Sequence, residues 1–235
     1  MKIGIIGAGS FGLFLAEKLS PFAEVKVYSR SGKGQQWDAS LEETAACDWL
    51  IPSIPLFAYE KSLAEFAPHV REDTVLVDVC SVKQVPMQLL DALFPINPKV
   101  ATHPLFGPES AAESLEDHVM VLCAELSDEQ AYQRVKEFSQ QLKLKVIEMS
   151  AKEHDQEMAV VQGLTFFIAR ALKDMDLHKM KLETPSFKRL RHLAELEANH
   201  SDELFKTIQQ GNPFTTEVRA AFLQQVKETD KLLGK

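Results

Sequence analysis

The spacing of hydrophobic residues changes near residue 150. Before that point, short apolar runs predict strands at 3–6, 25–28, 49–51, 75–79, 100–102, 119–122 and 143–149. Stretches of helical spacing lie between them, at 10–19, 59–66, 85–93 and 128–142. Strands that alternate with helices predict a mostly parallel sheet covered on both faces.

After Met149 no strand is predicted, and helical spacing continues to the end of the chain. Ser150 and Glu153 have the spacing of a capping box, with Ser150 as the N-cap of a helix. A second helix is expected from Pro185, and a last one over 214–233. We therefore expect a Rossmann-type, doubly wound α/β domain over residues 1–149 and an all-helical domain over residues 150–235.

Composition and charge restrict the partners of the chain. The 235 residues are 45% hydrophobic and 26% charged, as in soluble globular proteins, and the net charge is −8. An acidic chain lacks the electrostatic footprint for nucleic acid or an anionic membrane. The uncharged stretch 3–16 is shorter than the roughly 20 apolar residues that span a bilayer. Widely spaced Cys47, Cys80 and Cys123 favour reduced thiols in a cytoplasm over a disulfide framework or a zinc site.

A glycine-rich loop follows the first predicted strand. Gly7, Gly9 and Gly12 form the pattern G-x-G-x-x-G, with Ser10 and Phe11 between the last two. Between a strand and a helix this pattern is typical of dinucleotide binding. The first glycine permits a tight turn, the second lets the backbone approach a pyrophosphate, and the third lets helix and strand pack closely. The alternative is a glycine-rich turn in an unrelated α/β fold.

The end of the second predicted strand indicates which dinucleotide would bind. An NAD site usually has an Asp or Glu there, for the ribose 2′-hydroxyl. Positions 25–37 contain no acid, and instead offer Ser29, Arg30, Ser31 and Lys33. A guanidinium and hydroxyl donors suit a 2′-phosphate, so NADP is predicted, with NAD as the second choice. The alternative is a solvated basic turn.

Two further segments are expected at carboxyl ends of strands, where a doubly wound sheet binds its ligands. Ser81 and Lys83 follow the fourth strand, within reach of a nicotinamide or a substrate; the alternative for Ser81 is a cap on the next helix. His103 follows the fifth strand, in a loop stiffened by two prolines and a glycine. A histidine there can accept a proton from an alcohol as hydride leaves its carbon. The alternative is a polar group without a catalytic role.

The helical half offers weaker candidates. His154 and Asp155 open its first helix, and we interpret both as structural. Residues 187–192 form the densest basic cluster, which could bind a substrate carboxylate. Helical spacing lets only one or two of these cations face one site, and a solvated helix face is the alternative.

These segments together resemble the prephenate dehydrogenase family, which includes arogenate and cyclohexadienyl dehydrogenases of tyrosine biosynthesis. The resemblance rests on residues 7–12, 78–83, 103–110, 150–158 and 208–213. It covers nearly the whole chain and is closest to the enterobacterial type, without a mutase domain ahead of the glycine loop.

The resemblance implies an oxidative decarboxylation of prephenate, arogenate or both. His103 would hydrogen-bond and polarise the substrate 4-hydroxyl as hydride passes to the nicotinamide, and Ser81 would assist at the same hydroxyl. Loss of CO2 then makes the ring aromatic. The helical half would supply substrate contacts and a dimer interface, so we expect a homodimer.

The chain departs from the family pattern in its substrate half. Relatives usually present a histidine, often beside an arginine, where this chain has Thr165 and Phe166. The family's carboxylate-binding arginine falls near Lys188, with Arg189 next to it, so Lys188, Arg189 and Thr165 are the substrate-binding candidates. Relatives also continue further beyond residue 213. Two alternatives stay open: a catalytically silent NADP-binding sensor, and a reductase of another small carboxylic acid.

Overall fold

The chain forms two compact units, Met1–Glu153 and His154–Lys235. The computed structural model describes residues 1–173, 175, 177–198 and 200–234. The division between the units falls four residues after the boundary expected from the change in hydrophobic spacing.

A seven-stranded sheet forms the centre of the first unit. Its strands are β1 (Lys2–Ile6), β2 (Glu24–Tyr28), β3 (Trp49–Pro52), β4 (Val75–Asp78), β5 (Lys99–Pro104), β6 (Val119–Cys123) and β7 (Lys145–Glu148). They lie in the order β2-β1-β3-β4-β5-β6-β7, and every neighbouring pair is parallel except β5 and β6. The predicted mostly parallel sheet is confirmed.

Helices cover both faces of this sheet, because alternate side chains of each strand point to opposite faces. The helices of this unit are α1 (Ser10–Leu19), α2 (Leu41–Ala45), α3 (Tyr59–Phe66), α4 (Gln84–Leu93) and α5 (Glu129–Gln141). Ile3 and Ile5 of β1 face one core, in which α1 and α5 pack, and Ile6 faces the other, in which α3 and α4 pack. Short 3-10 turns at Gln35–Trp37, Leu56–Ala58, Ala67–His69 and Ala124–Leu126 join several elements.

The fifth strand is longer than predicted, and this changes the setting of His103. Strand β6 runs antiparallel to β5 and pairs with its last residues, His103 with Val121 and Pro104 with Met120. A proline at the final position removes only one donor from the ladder. His103 therefore lies within the sheet, and its expected position in a proline-stiffened loop is wrong.

Helices run through the second unit. They are α6 (Ala151–Met158), which begins in the last residues of the first unit, α7 (Thr165–Lys173), α8 (Pro185–Ala198), α9 (Asp202–Gly211) and α10 (Thr215–Leu232), with a 3-10 turn at Leu177–Lys179. Ser150 caps α6 as predicted: its hydroxyl accepts a bond from the Glu153 amide at 3.1 Å, and the Glu153 carboxylate accepts one from the Ser150 amide at 3.0 Å. Within the described ranges, no helix is both long enough and apolar enough to cross a membrane.

A π-helical segment, Ala159–Leu164, interrupts the long helix predicted after Ser150. A π turn contains more residues than an α turn, so the buried face rotates and the predicted spacing no longer holds. Val161, an apolar residue that keeps the helical spacing after Ser150, is 62% exposed, whereas Gly163 and Phe166 are buried. Gly163 lies where α10 approaches, since a Cβ there would stand 2.7 Å from the Thr215 methyl group.

Candidate dinucleotide and active site

The glycine loop lies at the carboxyl end of β1, between the ends of β2 and β3. In this sheet the chain passes from β2 across β1 to β3, and open α/β sheets bind ligands at such a reversal of strand order. The Gly7 amide donates to the Tyr28 carbonyl at 2.8 Å, and the Ser53 amide donates to the Ile6 carbonyl at 2.8 Å. The loop is therefore held from both neighbouring strands.

The three glycines meet three different structural requirements. Gly7 has a φ of +114°, which favours glycine, and a Cβ there would clash with the Ser53 carbonyl. A Cβ on Gly12 would clash with the Gly7 carbonyl, because α1 begins so close to the loop. Gly9 instead has open space around its Cβ position, and as N-cap of α1 it has no side chain over the helix end.

This open helix end fits the pyrophosphate of a dinucleotide. A helix N-terminus offers backbone amides and partial positive charge to an anion. Ser10 is exposed and Phe11 is half-buried in the first turn, where the Phe11 ring lies 6.0 Å from that of Phe14. The residues predicted for the phosphate loop are therefore arranged as such a ligand requires.

The loop after β2 carries the four residues predicted for a 2′-phosphate. The Ser29 hydroxyl accepts a bond from the Lys33 amide at 2.8 Å, which closes the turn. Arg30, Ser31 and Lys33 are exposed. Lys33 and Ser29 thus shape the turn, and the side chains of Arg30, Ser31 and Lys33 are exposed at its surface.

Arg30 contacts two residues of α3 that the sequence analysis did not identify. Its Nη2 donates to the Ser62 hydroxyl at 3.1 Å and to the Glu65 carboxylate at 3.3 Å. Glu65 follows Arg30 by 35 residues and approaches it only because α3 packs beside the end of β2. The edge of the Tyr28 ring meets the buried Phe66 ring there, at a centroid distance of 5.2 Å.

A buried ion pair joins the carboxyl ends of β4 and β5. The side chains of Asp78 and Lys83 have no exposed surface, and the Lys83 ammonium donates to the Asp78 carboxylate and to the Thr102 carbonyl. The Tyr59 hydroxyl donates to Asp78 at 3.2 Å, and the Thr102 hydroxyl donates to the Asp78 carbonyl at 2.7 Å. Burial, reinforced by Asp78, raises the pKa of Tyr59 well above its ordinary value, so the phenol remains a neutral donor.

Ser81 and His103 lie at neighbouring strand ends: Ser81 follows β4, and His103 is the penultimate residue of β5. Asp78 of β4 pairs with Ala101 of β5 in the sheet. Ser81 comes three residues after Asp78, and His103 comes two residues after Ala101. Ser81 is half-buried and His103 is 3% exposed. Lys83 holds the N-cap position of α4, so Ser81 does not cap that helix.

The expectation that Lys83 reaches a ligand is wrong, because the ion pair with Asp78 encloses its ammonium group. An opposite charge five residues away, at the end of an apolar strand, was the available signal for this pair. Cys80 between them is not a thiolate nucleophile at neutral pH, since burial, with a further contribution from Asp78, raises its pKa to about 12.

The substrate-binding candidates belong to the second unit. Lys188 and Arg189 are exposed on α8; the Lys188 ammonium lies 3.6 Å from the Glu183 carboxylate, and Arg189 has no ion pair with any residue in the described ranges. The Thr165 hydroxyl donates to the Val161 carbonyl at 2.7 Å, where the π-helical segment meets α7. Of the two cations, Arg189 is thus the one that a carboxylate could more readily approach.

The other residues singled out in this unit are buried. His154 Nδ1 and Asp155 Oδ1 are 2.9 Å apart, and the Asp155 carbonyl accepts a bond from the Asn212 side chain at 2.7 Å. These contacts agree with a structural role. Phe166, at the position where the family has a histidine, stacks on His200 with 4.9 Å between ring centroids.

The fold and the glycine loop define a Rossmann-type dinucleotide-binding protein. A family model described as "Prephenate dehydrogenase, nucleotide-binding domain" matches residues 24–148, more than half of the chain. The chain therefore belongs to the prephenate dehydrogenase family.

Two relatives of this chain are named as arogenate or arogenate/prephenate dehydrogenases. A probable arogenate/prephenate dehydrogenase of Methanocaldococcus jannaschii is 26% identical over 202 residues, which are 83% of this chain and 45% of that protein. The chloroplastic arogenate dehydrogenase 1 of Arabidopsis thaliana is 28% identical over 230 residues, 91% of this chain and 36% of that protein. The chain thus spans less than half the length of these two relatives.

The fold matches solved structures along the whole chain. The crystal structure of prephenate dehydrogenase from A. aeolicus, in complex with hydroxyphenyl propionate and NAD+, superposes with a TM-score of 0.79 at 20% identity. The match covers 99% of this chain and 90% of that one. At this identity the likeness establishes the fold.

Proposed function

We propose that this chain is an NADP-dependent dehydrogenase that oxidatively decarboxylates prephenate, arogenate or both, in tyrosine biosynthesis. One observation carries the proposal: an open glycine loop at β1 shares a sheet edge with Ser81, which follows β4, and with His103, near the carboxyl end of β5. The names of the relatives from Methanocaldococcus and Arabidopsis support the substrate class. The A. aeolicus structure, which contains NAD+, supports a nicotinamide cofactor.

In this proposal His103 accepts the proton of the substrate 4-hydroxyl as hydride leaves the same carbon, and it returns the proton to that oxygen when loss of CO2 makes the ring aromatic. Histidine suits the task because its ordinary pKa lies near neutral pH. Ser81 hydrogen-bonds the same hydroxyl from the neighbouring strand end, and the Asp78–Lys83 ion pair keeps the two strand ends together. A bound nicotinamide would supply the acceptor for the hydride that leaves the ring carbon bearing the hydroxyl.

The cofactor would lie along the edge formed by β1 and β2. The glycine loop and the first amides of α1 would bind the pyrophosphate, through Gly7, Gly9, Ser10, Phe11 and Gly12. The 2′-phosphate of NADP would meet the cations and hydroxyls after β2, which are Ser29, Arg30, Ser31 and Lys33.

The helical unit would bind the substrate carboxylate and form a homodimer. Arg189 is the strongest candidate, because a guanidinium can bind a carboxylate through two parallel hydrogen bonds. Lys188 would add a point charge, and Thr165 a hydroxyl. We also propose that the protein works in the cytoplasm, where its free thiols stay reduced.

The proposal is tested by following the absorbance of reduced cofactor with NAD or NADP against prephenate or arogenate. We expect reduction of NADP with at least one of the two substrates, and slower reduction of NAD. Cofactor binding without reduction in any of the four combinations would contradict the proposal. That outcome would favour a silent NADP-binding sensor, the alternative that the uncharged residues Thr165 and Phe166 support.

The role of His103 is tested by His103→Asn. Loss of a general base typically lowers the rate by about 10²- to 10⁴-fold, so we expect kcat to fall at least a hundredfold. The affinity for NADP should not change, since His103 lies on β5, which two strands separate from β1 and its glycine loop. His69→Asn, which changes an exposed histidine after α3, is the control. Near-normal turnover of His103→Asn would remove this residue from the mechanism.

A further inference from the structure

A single nitrogen atom of Arg30 makes its contacts with α3. Nη2 donates to the Ser62 hydroxyl at 3.1 Å and to the Glu65 carboxylate at 3.3 Å. Because Nη2 carries two hydrogens, these bonds use both of them. Across the part of the chain that the structure describes, neither Nη1 nor Nε of Arg30 has a hydrogen-bond partner.

The position of these bonds matters for phosphate recognition. A guanidinium binds phosphate most strongly through two parallel N–H bonds from one edge. Two of its edges offer such a pair, Nη1 with Nη2 and Nε with Nη2, and both contain Nη2. A phosphate can therefore bind Arg30 in this way only if Nη2 releases Ser62 or Glu65. The Glu65 carboxylate would also repel a phosphate dianion bound beside it.

We propose that Glu65 sets the preference of this chain between NAD and NADP, by competing with the 2′-phosphate for Nη2 of Arg30. The proposal rests on dinucleotide binding at the glycine loop, as described above. The loop after β2 has no acidic residue of its own, and in this proposal Glu65 of α3 supplies a carboxylate to the same region. Without a 2′-phosphate, Glu65 keeps the guanidinium, and with one it must yield.

The structure indicates a moderate effect rather than a complete block. The side chains of Arg30 and Glu65 are 57% and 43% exposed, and an exposed ion pair is weak enough for a dianion to displace. The backbone of Glu65 is nevertheless well positioned, because the next residue, Phe66, is buried against Tyr28. Glu65 therefore stays near Arg30 as a persistent but displaceable competitor.

The test is a titration of the whole chain with 2′,5′-ADP and 5′-AMP, which differ only in the 2′-phosphate, and then with NADP and NAD. In Glu65→Gln we expect 2′,5′-ADP and NADP to bind roughly two- to fivefold more tightly, the range of an exposed ion pair. The affinities for 5′-AMP and NAD should not change. The gain should shrink at high salt, because salt screens exposed charges.

Two further variants separate competition from other effects. Glu60→Gln removes the same charge from an exposed position of α3 and should leave every affinity unchanged. Arg30→Gln should abolish the preference for 2′,5′-ADP over 5′-AMP, and Glu65→Gln should gain much less in that background. Isothermal titration calorimetry gives these affinities without any turnover.

Several results would overturn the proposal. Unchanged or weaker binding of 2′,5′-ADP by Glu65→Gln would make Glu65 a residue that orients Arg30. An equal gain in affinity in Glu60→Gln would indicate a general charge effect. Failure of the unaltered chain to bind either 2′,5′-ADP or NADP would overturn both this proposal and the proposed function. Normal binding shifts without turnover would contradict the proposed function alone.

Discussion

At the scale of single residues, complete burial of both side chains constrains Asp78 and Lys83. Removing two charges from water is costly, and their mutual attraction offsets that cost only when further hydrogen bonds satisfy both groups. Here Tyr59 and the backbone of Cys80 donate to the carboxylate, and the Thr102 carbonyl accepts from the ammonium. The pair therefore connects the end of β4, which Ser81 follows, with the end of β5 that contains His103.

We expect Lys83→Met to lower the free energy of unfolding by about 3–5 kcal/mol, because it leaves the Asp78 carboxylate buried without a counter-charge. Urea denaturation at neutral pH measures the change. The double variant Lys83→Met with Asp78→Asn should recover part of the loss, since it removes the uncompensated charge. Lys61→Met, an exposed position on α3, is the control and should have little effect. A single variant as stable as the unaltered chain would contradict this account.

At the scale of elements, the loop from β1 to α1 contains one glycine that the fold requires and another that borders the space for a ligand. Gly12 is needed for packing, since its Cβ would meet the Gly7 carbonyl, whereas Gly9 borders open space. The hydrophobic pattern predicts both flanking elements, and α1 has the predicted bounds. Only the backbone positions show which glycine serves the fold and which is available to a ligand.

This difference makes Gly9→Ala and Gly12→Ala a matched pair. Gly12→Ala should lower the melting temperature by several degrees, because a backbone clash must be relieved by moving α1 or the loop. Gly9→Ala should melt normally but bind NADP at least tenfold more weakly, since a methyl group would occupy the space that a pyrophosphate needs. Thermal unfolding and cofactor titration measure the two effects. Normal NADP binding by Gly9→Ala would contradict the placement of the pyrophosphate.

At the scale of the whole molecule, carboxylates in both units have lowered pKa values. In the first unit the Lys2 amide and the Arg71 guanidinium lower the pKa of Asp48, and in the second Arg170 lowers that of Asp202. A carboxyl group with a lowered pKa stabilises the fold above its ordinary pKa of about 4, and this contribution is lost as the pH falls through the folded-state value.

We therefore expect the free energy of unfolding to change little between pH 7 and 5 and to decrease below about pH 4.5. Urea denaturation at a series of pH values measures this dependence. Asp48→Asn should flatten the acid limb, because that position then no longer titrates. A stability that rises on acidification would contradict the assignment.

The amino-acid sequence by itself determined the sheet, most helix bounds and the cap at Ser150. These features follow from local spacing, because the alternation of apolar residues and the chemistry of a helix end act over a few positions. The same local signals place the glycine loop between β1 and α1.

Only the tertiary structure decided which of the predicted site residues are available. His103 entered the sheet because β6 pairs with β5, Lys83 was enclosed by Asp78 and Thr102, and Glu65 reached Arg30 from α3. Each outcome depends on a partner from another element, which the spacing of neighbouring residues does not encode. Packing between elements brings such partners together, and it thereby determines which charges a ligand can meet.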